Sequence, residues 1–260
     1  MHFTKMHGAG NDFVILDPGE VEGVEDLNAL ARKVCNRHFG VGADGLLIPA
    51  PSDGADLRMF YLNSDGSPSE MCGNGLRCLA RYARDYEIVD GDALTVETGA
   101  GTKKVILFED GSSRVDMGPP ALGDDVGMRG FLFSRVSMGN PHAVAFLRSE
   151  DEVDALDLAG IGPAIEKDPT FPEGTNVEFA YARSSGEVRM RIWERGAGET
   201  LASGSGSCAT AVAAIRRGLA TSPVRLILDG GSVEISWAGV GEPVYMTGPA
   251  EYVCEGELFL

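Results

Sequence analysis

The sequence has no CxxC pair and no HExxH, and its four histidines, His2, His7, His38 and His142, are scattered. No local spacing there would assemble a metal site, so neither a structural nor a catalytic metal is expected. Long hydrophobic runs are missing too. Phe13 to Leu16 is too short for a signal-peptide core, and the small-apolar stretch Cys208 to Ile215 falls well below the ~18 residues of a spanning helix. Neither export nor a membrane partner is expected. Positive charge is scarce, with 22 Lys and Arg against 39 Asp and Glu and a net charge of −17. Such a surface repels phosphate backbones and anionic lipid, which excludes nucleic acid as a partner. The five cysteines, Cys35, Cys72, Cys78, Cys208 and Cys254, are an odd number without the density of a disulfide framework; a reducing cytoplasm is the expected location. What is present is an ordinary globular composition, 43% hydrophobic and 23% charged over 260 residues, enough for one large domain or two modest ones.

The chain repeats itself. Gly10-Asn11-Asp12-Phe13-Val14 is answered by Gly139-Asn140-Pro141-His142-Ala143-Val144, 129 residues on. Arg58 to Asn63 is answered by Arg189 to Glu194, and Cys72-Gly73-Asn74-Gly75 by Ser203-Gly204-Ser205-Gly206, both at 131. Thr98-Gly99 and Asp229-Gly230 keep the same spacing, and Met117-Gly118-Pro119 matches Thr247-Gly248-Pro249 at 130. Five matches in one order at nearly one offset imply a duplication. Each half shows the same grammar. Runs such as Asp56 to Leu62 and Glu187 to Trp193 read as strands, followed by a Gly-rich turn and a helix, Gly75 to Tyr86 in the first half and Ser207 to Leu219 in the second. Strands at Ala93 to Glu97, Lys104 to Phe108, Arg225 to Leu228 and Ser232 to Trp237 come as hairpin neighbours. The second helix is so rich in small residues that it should be buried on several sides, wrapped by its own sheet. The expectation is a mixed α/β (α+β) fold of two pseudo-symmetric domains, each a sheet or barrel around a central helix. They divide near 1–120 and 121–260, with the active site in the cleft between them.

Equivalent residues of a duplicated fold are candidates for paired chemistry. Cys72 and Ser203 each stand just ahead of a helix, where unpaired backbone N–H groups and positive potential bind carboxylates and activate thiols. A thiol and a hydroxyl so placed suggest acid/base work on opposite faces of one carbon. Cys35, Cys78 and Cys208 sit among Leu, Val and Ala and read as core, whereas Cys72 lies in a polar Gly-rich loop. His142 is either a satisfied, partly buried histidine or a member of the same site. Glu194 is either a site carboxylate or half of a surface ion pair with Arg195. Gly204-Ser205-Gly206-Ser207-Cys208-Ala209 fits a dinucleotide fingerprint, but no strand leads directly into it, which argues against NAD.

These residues carry a family resemblance. Asn63-Ser64-Asp65-Gly66-Ser67, four residues, then Cys72-Gly73-Asn74-Gly75-Leu76-Arg77-Cys78 is similar to the signature of the diaminopimelate epimerases. Lys5 to Phe13, Gly139 to His142, Asn176-Val177 and Glu194 to Thr200 resemble further blocks of that family in order. The resemblance implies a cofactor-independent isomerase interconverting LL- and meso-diaminopimelate for lysine and peptidoglycan synthesis, cytoplasmic and homodimeric. It implies substrate contacts at Asn11, Asn63, Asn140 and Asn176, with the backbone at Gly73-Asn74 and Gly204-Ser205 holding the α-carboxylate. Glu194 and Arg195 complete the implied site, and His142 and Glu194 tune Cys72 and its counterpart. Gly45 stands where some members have a contacting glutamine. Ser203 is the main departure, because the family pattern has a second cysteine there. A hydroxyl is a far weaker acid than a thiol at ~8.5, and Cys208, ~140° round the helix from Ser203, cannot replace it. Three alternatives stay open at this point: assistance to Ser203 from His142 or Glu194, an impaired variant that only binds ligand, or a relative acting on another amino acid, such as a histidine racemase or a dehydratase.

Overall fold

In the computed structural model, which describes residues 1–259, the internal repeat is a repeat of topology. The chain divides into two units, Met1–Val115 with the segment from Gly248 onward, and Asp116–Thr247.

In the first unit β1 (His2–Gly8) and β2 (Asn11–Ile15) pair antiparallel, and β2 pairs parallel with β3 (Gly45–Ala50). β3 is antiparallel to β4 (Leu57–Asn63), β4 parallel to β5 (Ala93–Thr98), and β5 antiparallel to β6 (Gly101–Leu107). β7 (Ser112–Gly118) follows antiparallel to β6. Parallel neighbours need a crossover rather than a tight turn. The two crossovers carry the helices α1 (Leu27–Val34) and α2 (Gly73–Asp85).

The second unit opens with β8 (Ala121–Leu122) and β9 (Val126–Met128), both antiparallel to β10 (Phe131–Ser137). It then follows the first unit's plan. β10 and β11 (Pro141–Phe146) are antiparallel. A crossover with α3 (Glu150–Asp154) and α4 (Leu158–Glu166) leads to β12 (Asn176–Ser184), parallel to β11. β13 (Glu187–Glu194) runs antiparallel to β12 and to the short β14 (Gly198–Thr200). A crossover with α5 (Gly204–Arg216) then brings β15 (Val224–Leu228) parallel to β13. β16 (Gly231–Trp237) and β17 (Val244–Pro249) complete the meander. Counterpart helices have equal length: α2 and α5 both span 13 residues and start 131 apart.

Each of these helices is the centre of its unit. α2 packs on β1, β2, β3 and β6, and α5 on β10, β11, β12, β13, β15 and β16. A sheet whose early and late strands all touch one helix is curled around it. That explains α5's composition: Cys208, Ala209, Ala211, Val212, Ala213 and Ala214 are all fully buried, and small side chains let strands approach on several sides at native packing density.

Two expectations are corrected. The helices begin earlier than Gly75 and Ser207, because the Gly-rich stretches are their first turns: Leu76 N–H already donates to Cys72 O at 2.8 Å and Ser207 N–H to Ser203 O at 3.0 Å. The glycines serve close approach there. A Cβ on Gly75 would meet the Phe13 ring and Met59 Cε at 3.3 Å, and one on Gly206 would meet Ile192 Cδ1 at 2.6 Å. The second correction concerns the boundary expected at 120/121 with everything beyond in the second domain. The second unit runs from Asp116 to Thr247, because the last strand, β18 (Glu251–Glu257), hydrogen-bonds antiparallel to β1 and so belongs to the first unit.

Candidate active site

In the first unit Cys72 is the N-cap residue of α2, with extended backbone at φ −137°, ψ 119°. Its side chain makes no capping bond to the helix. Instead Sγ donates to Asn11 Oδ1 at 3.5 Å, and Asn74 Nδ2 donates to the same oxygen at 3.2 Å. Asn11 sits at the start of β2 and is held in that orientation from behind, since its Nδ2 donates to Asp44 Oδ2 at 2.6 Å. Asp44 also receives the Asp12 N–H at 3.2 Å and Arg37 Nη2 at 2.8 Å. Lys5 Nζ and Arg37 both pair with Asp12. Burial pushes the Asp12 carboxyl up, but hydrogen bonds from Arg37 and Lys5 outweigh it and hold the group below the ordinary carboxylate range. A fixed amide oxygen is therefore aimed at the thiol.

Two other cysteines of this unit, Cys78 in α2 and Cys35 at the end of α1, are buried. Burial pushes the Cys78 and Cys35 thiols up to about 12, the behaviour of inert core sulfur. Asn63 closes its own turn, donating from Nδ2 to Ser67 Oγ at 3.0 Å. At Gly45 a Cβ would lie 2.4 Å from Tyr61 Cε2, so the Tyr61 ring fills the space a side chain there would need.

The second unit repeats the frame with different chemistry. Ser203 caps α5 at φ −137°, ψ 123°, nearly the dihedrals of Cys72. Its Oγ accepts the Gly206 N–H at 3.3 Å and donates to Glu194 Oε2 at 2.9 Å. Thr200 Oγ1 donates to the other carboxylate oxygen, Oε1, at 2.6 Å. Glu194 ends β13, and the turn after it is pinned by Glu166, whose Oε2 accepts Trp193 Nε1 at 2.8 Å and whose Oε1 accepts the Gly196 N–H at 3.1 Å. Asn176 ties that turn to β11: its Oδ1 accepts the Arg195 N–H at 2.9 Å and its Nδ2 donates to Pro141 O at 2.9 Å. The Arg195 side chain, exposed, donates to Glu173 O.

Of the two residues expected to assist Ser203, Glu194 makes the hydrogen bond. His142 is buried on β11, with Nδ1 2.6 Å from Glu178 Oε1 and Nε2 3.0 Å from Asn140 Oδ1. Asn140 Nδ2 in turn donates to Ser205 Oγ at 3.3 Å, in the first turn of α5.

The sequence reading missed Asp44, Glu166, Glu178 and Thr200. One signal was available for Glu178, which interrupts the apolar run of Val177, Phe179 and Ala180 on the buried first half of β12. A carboxylate there costs several kcal/mol unless paired. Burial pushes its carboxyl above the ordinary range, proximity to Glu194 adds to this, and His142 opposes it.

Chemically, each unit presents one protic side chain at a helix N-terminus whose first N–H groups have no intrahelical acceptor. One is a thiol on an amide oxygen and the other a hydroxyl on a carboxylate. A carboxylate hydrogen-bonded to a hydroxyl can accept its proton.

Comparison with known proteins agrees with the duplication. The family model described as diaminopimelate epimerase matches residues 3–123 and 134–253. Diaminopimelate epimerase from Desulfitobacterium hafniense is 49% identical, covering 99% of this chain and 98% of the relative. That from Desulfovibrio desulfuricans is 47% identical, covering 100% and 99%. Among solved structures, a phenazine biosynthesis protein of the PhzF family from Bacillus anthracis superimposes with a TM-score of 0.80 at 17% identity, covering 100% of this chain and 99% of that one. A probable proline racemase from Agrobacterium radiobacter, solved with bound carbonate, gives 0.74 at 16%, covering 100% and 93%. At such identities these two show a shared fold and nothing more.

Proposed function

Because the chain belongs to the diaminopimelate epimerase family, we propose that it interconverts LL- and meso-2,6-diaminopimelate by proton transfer at the α-carbon, serving lysine and peptidoglycan synthesis. The observation that supports this reading best is the matched pair of N-cap residues, Cys72 and Ser203, with backbone dihedrals agreeing within a few degrees. Inversion at a carbon needs a base on one face and an acid on the other. Cys72 as thiolate removes or returns a proton on its face. On the other, Ser203 Oγ takes up the α-proton as its own proton passes to Glu194 Oε2, and the reverse sequence delivers a proton to the carbanion and restores the Glu194 carboxylate. Proton count and charge balance in both directions, and no electron leaves the substrate.

In the same proposal the free N–H groups at Gly73-Asn74 and Gly204-Ser205 receive the α-carboxylate, whose charge must be held as the carbanion forms. Asn11, Asn63, Asn140, Asn176 and Arg195 complete the substrate contacts. His142 acts through Asn140 rather than on Ser203. A homodimer in the cytoplasm belongs to this reading. The free thiols at Cys35, Cys78 and Cys254 suit a reducing compartment, and no described helix is long and apolar enough to cross a membrane.

Incubation of LL-diaminopimelate in D2O tests the reaction. Proton NMR should show loss of the α-proton signal, and chiral chromatography the appearance of the meso isomer. Neither deuterium at the α-carbon nor meso product would overturn the assignment. Deuterium gain without inversion would confine the chemistry to the Cys72 face.

A further inference from the structure

The reading above leaves the buried carboxylate of Glu178 without a task. Glu178 lies on β12 beside Val144 of β11, and its side chain is wholly buried together with that of His142. Its Oε1 reaches His142 Nδ1 at 2.6 Å, while Oε2 is buried with no hydrogen-bond partner. Gly206, in the first turn of α5, makes room for it: a Cβ there would stand 3.0 Å from Glu178 Oε1. An unsatisfied carboxylate oxygen in a core is expensive, and a role for the group is the usual reason it persists.

The bonds form a line from Glu178 Oε1 to His142 Nδ1, from His142 Nε2 to Asn140 Oδ1, and from Asn140 Nδ2 to Ser205 Oγ. An amide oxygen only accepts, so Nε2 carries a proton. The remaining proton lies between Nδ1 and Oε1, on the imidazole as an ion pair or on the carboxyl as a neutral pair. Either way Nε2 remains a donor. A neutral histidine released from Glu178 would be free to move its proton to Nδ1. Nε2 would then accept, the Asn140 amide would turn over, and its oxygen rather than its N–H group would face Ser205.

We propose that Glu178 is a positioning residue, which locks His142 in the Nε2–H form and thereby sets which end of the Asn140 amide is offered to substrate at the start of α5. The inference rests on the proposed function for its substrate, but not for its first readout. In protein labelled with 15N-histidine, long-range 1H–15N correlation reports which ring nitrogen bears the proton without any turnover. His142 Nε2 should be protonated in the wild type. It should stay so in Glu178→Gln, whose amide N–H donates to Nδ1, and should become a mixture of tautomers in Glu178→Met. With diaminopimelate, Glu178→Met should raise KM about ten-fold, the scale of one lost substrate hydrogen bond, with a smaller change in kcat, whereas Glu178→Gln should stay near wild type. An unprotonated Nε2 in the wild type would overturn the proposal even if no variant folds. So would a folded Glu178→Met protein with unchanged tautomer and KM. Absence of epimerase activity in the wild type would sink the proposed function while leaving the tautomer result standing.

Discussion

Ser203→Cys should accelerate the interconversion, and the structure sets the scale. A serine hydroxyl is a far weaker acid than a thiol at ~8.5, by roughly 7 units or ~10 kcal/mol of proton affinity. With the proton about half transferred in the transition state, about 5 kcal/mol of that gap is felt. The carboxylate of Glu194, 2.9 Å from Ser203 Oγ, recovers part of it as a charge-assisted hydrogen bond worth about 1.5–3 kcal/mol. What remains is about 2–3.5 kcal/mol, a gain of roughly 30- to 400-fold in kcat. Deuterium wash-in and isomer formation, followed together in D2O, separate the two faces: inversion should speed up while exchange on the Cys72 face changes little. The hand-off to Glu194 has its own check, because Glu194→Gln should cost far more in the wild type than in the Ser203→Cys background. If Ser203→Cys folds normally and inverts no faster, or if the two substitutions are additive, Ser203 is not the limiting group and the argument fails.

Cys72→Ala should abolish exchange on its face, whereas Cys78→Ala, which removes a core thiol that burial pushes up to about 12, should leave wash-in intact; NMR on both variants distinguishes catalyst from filler. Gly206→Ala should lower stability by about 1–3 kcal/mol through overpacking, since its Cβ would lie 2.6 Å from Ile192 Cδ1; urea unfolding at fixed pH measures it. Asp12 is held below its ordinary 3.8 in the fold, so its contribution is complete above that value and is lost as pH falls through the lower folded value. Asp12→Asn should therefore reduce stability at neutral pH and flatten the acid limb below about pH 4, and an unchanged acid limb would show that the Arg37 and Lys5 bonds do not outweigh burial.

Features that depend on neighbours in the chain were open to reading. The duplication was legible because capping positions, Gly-containing turns and strand periods are local, and one offset preserved all of them. Cys72 and Ser203 were legible because a helix start is a local event. The first turns were misread as loops for the same reason: Gly73-Asn74-Gly75 has poor helix propensity, and only Phe13 and Met59 packed against it explain why glycine is needed there. Glu194 was open to two readings until Thr200 and Ser203, six and nine residues further along the chain, appeared on its two oxygens.

What the sequence alone determined, then, was a two-fold plan, a helix at the centre of each half, and one protic residue at the head of each helix. Tertiary structure decided which groups stand behind them. Asp44 behind Asn11, Glu178 behind His142 and Glu166 behind the Glu194 turn come from 33, 36 and about 28 residues away, and the final strand returns to pair with the first. Strand pairing and burial bring such partners together, and neither leaves a periodic trace. Electrostatics acts on the distance through space, so the residues that tune a site are the ones the order of the chain conceals.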